Sequence, residues 1–183
     1  MSRSSSGYER ELKELLQAEP ETLARYARAL DPADRPRMER IRASPFLVVR
    51  AAGSLGFDLV ALRSEFAFPL EVKASASDTI RFSAASGRAS EQLASHRAAV
   101  ERVGLIVLYA FRRIGHRGGD PWRLYAAAGT GGNGRLSLLR RRLPPVDVTR
   151  NGNAVLRFHD GMPLVRFVEL IGGLTEAAPG ARP

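Results

Sequence analysis

The chain contains no cysteine. A disulfide framework and a cysteine-ligated zinc site are therefore both excluded. Asn, Gln and Met are scarce, a bias that points to a thermophilic source. The three histidines, His96, His116 and His159, show no metal-ligand spacing and read as structural. No apolar run reaches membrane-spanning length. The opening MSRSSSGYERE lacks the apolar core of a signal peptide, so a soluble, cytoplasmic protein is expected. The glycine-rich stretches around Gly53 and at 128–134 lack the Gly-Lys-Ser/Thr of a phosphate-binding loop. Ser54 is not in a G-x-S-x-G elbow. There are no internal repeats.

A length of 183 residues makes one domain the expectation, and a hydrophobic content of 44% is enough for a core. The net charge is +9 and the isoelectric point about 11.0. That balance points to a polyanionic partner, most simply nucleic acid. An arginine-rich proteome would produce the same balance without one. The cations are unevenly chosen: 26 are arginine and only Lys13 and Lys73 are lysine.

Lys73 falls in the stretch around which the chain is organised, 57–75, FDLVALRSEFAFPLEVKAS. It reads as two strands joined by a turn near Arg63–Glu65. Residues two apart on a strand share a face, so Glu71 and Lys73 stand together while Leu70 and Val72 face the other way. The hairpin brings Asp58 alongside them. Two carboxylates in one buried place need a positive charge between them. A divalent ion that prefers oxygen, Mg²⁺ or Mn²⁺, supplies it. A solvated ion pair at a strand end is the other reading. The charges interrupt otherwise apolar strands, and a compact, titratable lysine is kept in a chain that elsewhere uses arginine. This Asp-x12-Glu-x-Lys spacing is the pattern of the PD-(D/E)xK nucleases.

Upstream, a helix is predicted over 7–18, with Tyr8, Leu12, Leu15 and Leu16 as its apolar stripe. Glu9 lies at the border of that stripe, where helix-dipole stabilisation alone explains an acid. Two short charged helices follow over 20–43, the second capped by Asp31 with Pro32 in its first turn, and both are expected on the outside or at an interface. Strands are predicted at 46–50, 79–83, 104–111, 122–127, 146–148 and 154–158. A long helix is predicted over 85–103 and a short one over 164–170. Pro69 cannot donate to a ladder, so its strand should start there or lie at an edge.

The order helix, strand, Gly-Ser loop, Asp strand, Glu-x-Lys strand, helix, strand resembles the archaeal-type Holliday junction resolvases. The matching stretches are GYEREL at 7–12, VVRAAGS at 48–54, FDLVAL at 57–62 and LEVKAS at 70–75. The resemblance spans about 7–127, interrupted by roughly 25 additional residues after the first helix. It implies an α/β, restriction-endonuclease-like mixed sheet flanked by helices, with an inserted helical segment after helix one. It implies one nuclease domain over 1–175, with the insertion at 20–43, a basic C-terminal embellishment at 140–175 and a disordered tail at 176–183.

The resemblance further implies an acidic metal site of Glu9, Asp58 and Glu71, with the carbonyl of Val72 as a further ligand. It implies Lys73 as the catalytic lysine, Ser54 near the scissile strand, and Arg10 and Arg50 as DNA-binding residues. The implied activity is Mg²⁺-dependent resolution of four-way DNA junctions by a homodimer, with Mn²⁺ as a substitute ion. Two other readings stay open: a nuclease of the same fold acting on other branched or damaged DNA, and a DNA-binding module without catalysis.

Overall fold

A computed structural model describes residues 5–51, 56–64, 66–82, 88–127, 134–150 and 153–176. Three helices come first: α1 (Ser5–Leu16), α2 (Pro20–Ala29) and α3 (Arg35–Glu39), the last running into a 3₁₀ turn at Arg40–Ala43. Then follow β1 (Leu47–Arg50), β2 (Leu59–Arg63), β3 (Phe66–Ser75), β4 (Thr79–Phe82) and α4 (Arg88–Val103). After these come β5 (Leu108–Arg113), β6 (Trp122–Ala126), α5 (Arg135–Arg142), β7 (Asp147–Val148), β8 (Ala154–Arg157), β9 (Met162–Pro163) and α6 (Leu164–Glu176).

The six-stranded sheet has the order β1-β2-β3-β5-β6-β9, and a second, three-stranded sheet the order β4-β8-β7. The β3–β5 pair is parallel and the other ladders of the large sheet are antiparallel. A parallel pair needs a long crossover, and the chain between β3 and β5 contains β4 and α4. The architecture is thus the mixed α/β sheet flanked by helices expected from the sequence.

Alternation along the strands divides the core in two. Leu59, Ala61, Phe66, Phe68, Leu70, Val72, Leu108, Ala110 and Leu124 pack with apolar residues of α1, α2, α3 and α6. Tyr109, Phe111 and Tyr125 face the other way and pack with Leu93 of α4 and with Phe82, Leu156 and Phe158. Backbone approaches this second layer closely at Gly161: a Cβ there would lie 2.5 Å from Arg123 Cβ and from the Tyr125 ring.

The 20–43 segment differs from expectation. Leu23, Tyr26, Leu30, Met38 and Ile41 are buried in the main core, so these helices are structural walls rather than outside decoration. Their apolar residues recur at helical spacing, and the abundant arginines between them hide that stripe. Asp31 and Pro32 do not open the second helix. It begins at Arg35 after a turn at 32–34, with a proline in its first turn.

Pro69 sits inside β3, opposite Val60. Pairing with β5 starts only at Leu70, so the first half of β3 is an edge on that side and the missing N–H breaks no β5 bond. The strand predicted over 104–111 is later, at Leu108–Arg113, and α6 extends past the predicted 170 to Glu176. Asn151 and Gly152, the expected turn between β7 and β8, and residues 177–183 lie outside the described residues.

Candidate functional site

Asp58 occupies the bend just before β2. Its N–H donates to Leu70 O at 3.0 Å, and its carboxylate Oδ2 accepts the N–H of Val72 at 2.7 Å. The side chain therefore closes the β2–β3 ladder where β2 begins, and the carboxylate is anchored in the stretch that carries Glu71 and Lys73.

Glu71 is buried, as no solvated ion pair would be. Its Oε1 accepts from Lys73 Nζ at 2.6 Å. Its Oε2 is buried and makes no hydrogen bond among the described residues, an expensive condition for an ionised oxygen. Burial raises the Glu71 pKa, the Lys73 ammonium pulls it back, and the charge of Asp58 raises it again. The charge of Asp58 is thus felt at the Glu71 carboxylate.

Helix α4 completes the surroundings. Gln92 Oε1 accepts from Lys73 Nζ at 3.3 Å and Gln92 Nε2 donates to Gly56 O at 3.2 Å. His96, one helical turn on, also reaches Gly56 O from Nε2 at 2.7 Å. A carbonyl only accepts, so Nε2 carries the proton, and Nδ1 accepts the Tyr109 hydroxyl at 2.7 Å. Burial lowers the His96 pKa, in keeping with this neutral ring. The ring stacks on Phe57 with centroids 4.4 Å apart. Tyr109 is beside Glu71 in the β3–β5 register. Burial raises its phenol pKa, and the Glu71 charge adds to this.

Glu9 lies elsewhere in the hydrogen-bond network. Its Oε2 accepts from Arg50 at 2.6 Å. Among the described residues no three acidic or imidazole side chains gather as a metal-ligand set. Arg10 is exposed and lies 3.8 Å from Glu14. Arg10 and Arg50 line one cleft together with Ser6, Gly7 and Lys13. Ser54 lies outside the described residues.

Asp58, Glu71 and Lys73 are therefore together, while Glu9 is tied to Arg50, which lines a basic cleft with Arg10 and Lys13. Sequence reasoning did not place Gln92, His96 and Tyr109 beside this group. A signal existed for two of them: Gln92 and His96 stand four apart on a predicted helix, and so share a face.

No family model and no curated protein matches this chain. Among solved structures it is similar to that of Archaeoglobus fulgidus Hjc, a Holliday junction resolvase from an archaeal hyperthermophile. The identity is 17% and the TM-score 0.40, with 67% of this chain and 88% of the other covered. Among the described residues no helix is long and apolar enough to cross a membrane.

Proposed function

We propose that this chain is a divalent-metal-dependent endonuclease that hydrolyses DNA phosphodiesters at branch points, with the four-way junction as its substrate. The observation that carries the reading is the Glu71 carboxylate. It is buried beside Asp58, bonded on one oxygen to Lys73, and, among the described residues, without a hydrogen bond on the other.

A hard divalent cation fits that donor set. Glu71 Oε2 and Asp58 would hold it, with the Val72 carbonyl as a further ligand. Glu9 would join only after releasing Arg50. When bound, Mg²⁺ or Mn²⁺ lowers the pKa of a bound water and neutralises charge at the phosphorus. Among the described residues Lys73 gives two of its three N–H donors, to Glu71 and Gln92. The remaining donor is directed to the attacking water or to a non-bridging phosphate oxygen, stabilising charge as it develops. Arg10, Lys13 and Arg50 hold the neighbouring phosphates. These contacts are to backbone, so recognition is of shape rather than of base sequence.

A homodimer matches the two-fold symmetry of a four-way junction. The support for it is an exposed apolar strip. Leu47 pairs with Leu62 and Val49 with Val60 across β1 and β2, and Leu47, Val49 and Leu62 are 61%, 44% and 37% exposed.

A labelled four-way junction and its linear duplex arms, incubated with Mg²⁺ or EDTA, test the reading with wild type beside Asp58→Asn. Paired nicks in the junction that need both Mg²⁺ and Asp58 are expected. Equal cutting of the duplex arms would remove junction selectivity and leave a nuclease. Binding without cutting would favour a second reading, a DNA-binding module. The Arg50–Glu9 pair favours that module, since it keeps one acid away from the other two.

A further inference from the structure

Lys73 is one of two lysines in the chain and Gln92 one of two glutamines, and the fold joins them. We propose that Gln92 is a positioning residue of the active site: its amide ties the Lys73 ammonium to the backbone of Gly56, two residues before Asp58. The proposal rests on the nuclease reading of Asp58, Glu71 and Lys73.

The chemistry of the amide explains why glutamine serves here. An ammonium only donates and a carbonyl only accepts. A side chain lying between Lys73 Nζ and Gly56 O must therefore offer one acceptor and one donor. Gln92 does so, at 3.3 Å and 3.2 Å, which also fixes which end of the amide faces which partner. A glutamate would leave Gly56 O facing a second acceptor. A lysine or arginine would face the ammonium with a like charge.

The placement is rigid on both sides. Gln92 and His96 are one turn apart on α4, and both bond the same Gly56 oxygen. Gly56 has φ of +71°, a conformation that L side chains rarely adopt, so this carbonyl is aimed by a backbone that glycine permits. His96 is in turn held by the Tyr109 hydroxyl and the Phe57 ring. Leu93, between them in sequence, is buried in the second core layer and anchors the helix. Lysine has a flexible four-carbon stem. With Glu71 alone its ammonium would be held at one point. With Gln92 it is held at two, and the third N–H takes a defined direction. Reacting groups lose large factors in rate when misplaced by about 1 Å.

Gln92→Leu removes both bonds while keeping an apolar side chain of similar length. Steady-state cleavage of the four-way junction should show kcat about 10–100-fold lower, the range for removing a partner that orients a site group. KM, DNA binding in EDTA and the melting temperature should be unchanged. A second measurement does not depend on activity. With only Lys13 and Lys73 present, protein grown on side-chain-labelled lysine gives two NMR signals, assigned by Lys73→Arg. In Gln92→Leu the Lys73 signal should move and the Lys13 signal should stay.

A wild-type kcat in Gln92→Leu would overturn the proposal. So would a fall in kcat with an unmoved Lys73 signal, or one explained by a lower melting temperature. If wild type cuts no DNA at all, the nuclease reading fails, and an unmoved Lys73 signal would show that Gln92 does not hold Lys73.

Discussion

The Arg50 guanidinium donates to the Glu9 carboxylate at 2.6 Å across a separation of 41 residues. Arg50 also lines the cleft it shares with Arg10 and Lys13. The proposed function asks two things of this pair: a phosphate for Arg50 and a cation for Glu9. A phosphate that draws Arg50 away leaves Glu9 uncompensated, which favours metal binding. The coupling must then be reciprocal. Mn²⁺ binding followed by electron paramagnetic resonance should tighten several-fold, within the usual range of about 5–150-fold for coupled sites, when a non-cleavable junction is present. Arg50→Leu should raise Mn²⁺ affinity without DNA and abolish the further gain. Equal Mn²⁺ affinity with and without DNA in the wild type would remove the pair from the mechanism.

The Glu71 carboxylate should lower stability at neutral pH. Its pKa is raised in the fold, by burial first and by the charge of Asp58 as well. For an acid, a raised folded pKa means that the fold favours the protonated form. Stability is then fully present below the ordinary carboxylate range and is lost as pH rises through the raised value. Glu71→Gln keeps the shape and an acceptor for Lys73 but carries no charge. Its melting temperature should exceed that of wild type at about pH 7.5, and the difference should disappear near pH 3, where both side chains are neutral. A variant that melts lower at neutral pH would show that the Lys73 ion pair outweighs burial. Cleavage should be lost in either case.

The residues that carry the proposed chemistry were easy to read because charged residues break strands that are otherwise apolar. Glu71 and Lys73 stand out for that reason, and period-two alternation puts them on one face; Asp58, expected in the first strand, stands in the bend just before β2. Glu9 is harder, because an acid in the first turn of the helix predicted over 7–18 has an ordinary electrostatic explanation; α1 begins at Ser5, which leaves no acid in its first turn. Its partner Arg50 is far away in sequence, and only the packing of α1 near the end of β1 brings them together. Gln92 and His96 carried only a spacing. Their meaning depends on Gly56, whose position no local pattern reveals. The insertion hides its apolar stripe for a compositional reason. Six arginines between 25 and 42 make those helices look solvated, while Leu23, Tyr26 and Met38 enter the core beneath them.

Tyr26 supplies a direct check on that burial. Its hydroxyl donates to Asp120 Oδ1 at 2.5 Å, and Asp120 also accepts the N–H groups of Trp122 and Val165 at 2.8 and 2.9 Å. The carboxylate links α2, β6 and α6. Burial raises its pKa, opposed by these three donors. Tyr26→Phe removes one donor from a buried acid and should cost about 2 kcal/mol, read as a lower denaturant midpoint with unchanged slope. An unchanged midpoint would mean that the Tyr26–Asp120 hydrogen bond adds nothing to the link between α2 and β6.

The apolar strip on β1 and β2 leads to an expectation about assembly. Leu47 and Leu62 are cross-strand neighbours with exposed side chains, so a charge at either position leaves the interior packing intact. Leu47→Glu and Leu62→Glu should keep the wild-type melting temperature. If the strip is where two copies meet, sedimentation equilibrium should show a wild-type dimer and variant monomers. Junction cleavage by the variants should then produce single rather than paired nicks. A wild type that sediments as a monomer at micromolar concentration would remove the dimer from the proposal.

Salt dependence separates the acidic centre from the basic cleft. Each phosphate neutralised by a protein cation releases counterions, so log K falls with log salt at a slope of about −0.9 per contact. Arg10, Lys13 and Arg50 line one cleft and should act as phosphate contacts. Arg10→Ala and Lys13→Ala should each weaken junction binding and make the slope shallower by about 1. Asp58→Asn removes an anion and touches none of these cations, so it should tighten binding in EDTA and leave the slope unchanged. Fluorescence anisotropy over a series of KCl concentrations gives all four slopes. If Lys13→Ala keeps the wild-type slope while Arg10→Ala does not, the phosphate path passes over the Arg10 and Arg50 side of the cleft. If neither changes it, the DNA lies elsewhere on this basic surface, and the arginines of α5 become the next cations to replace.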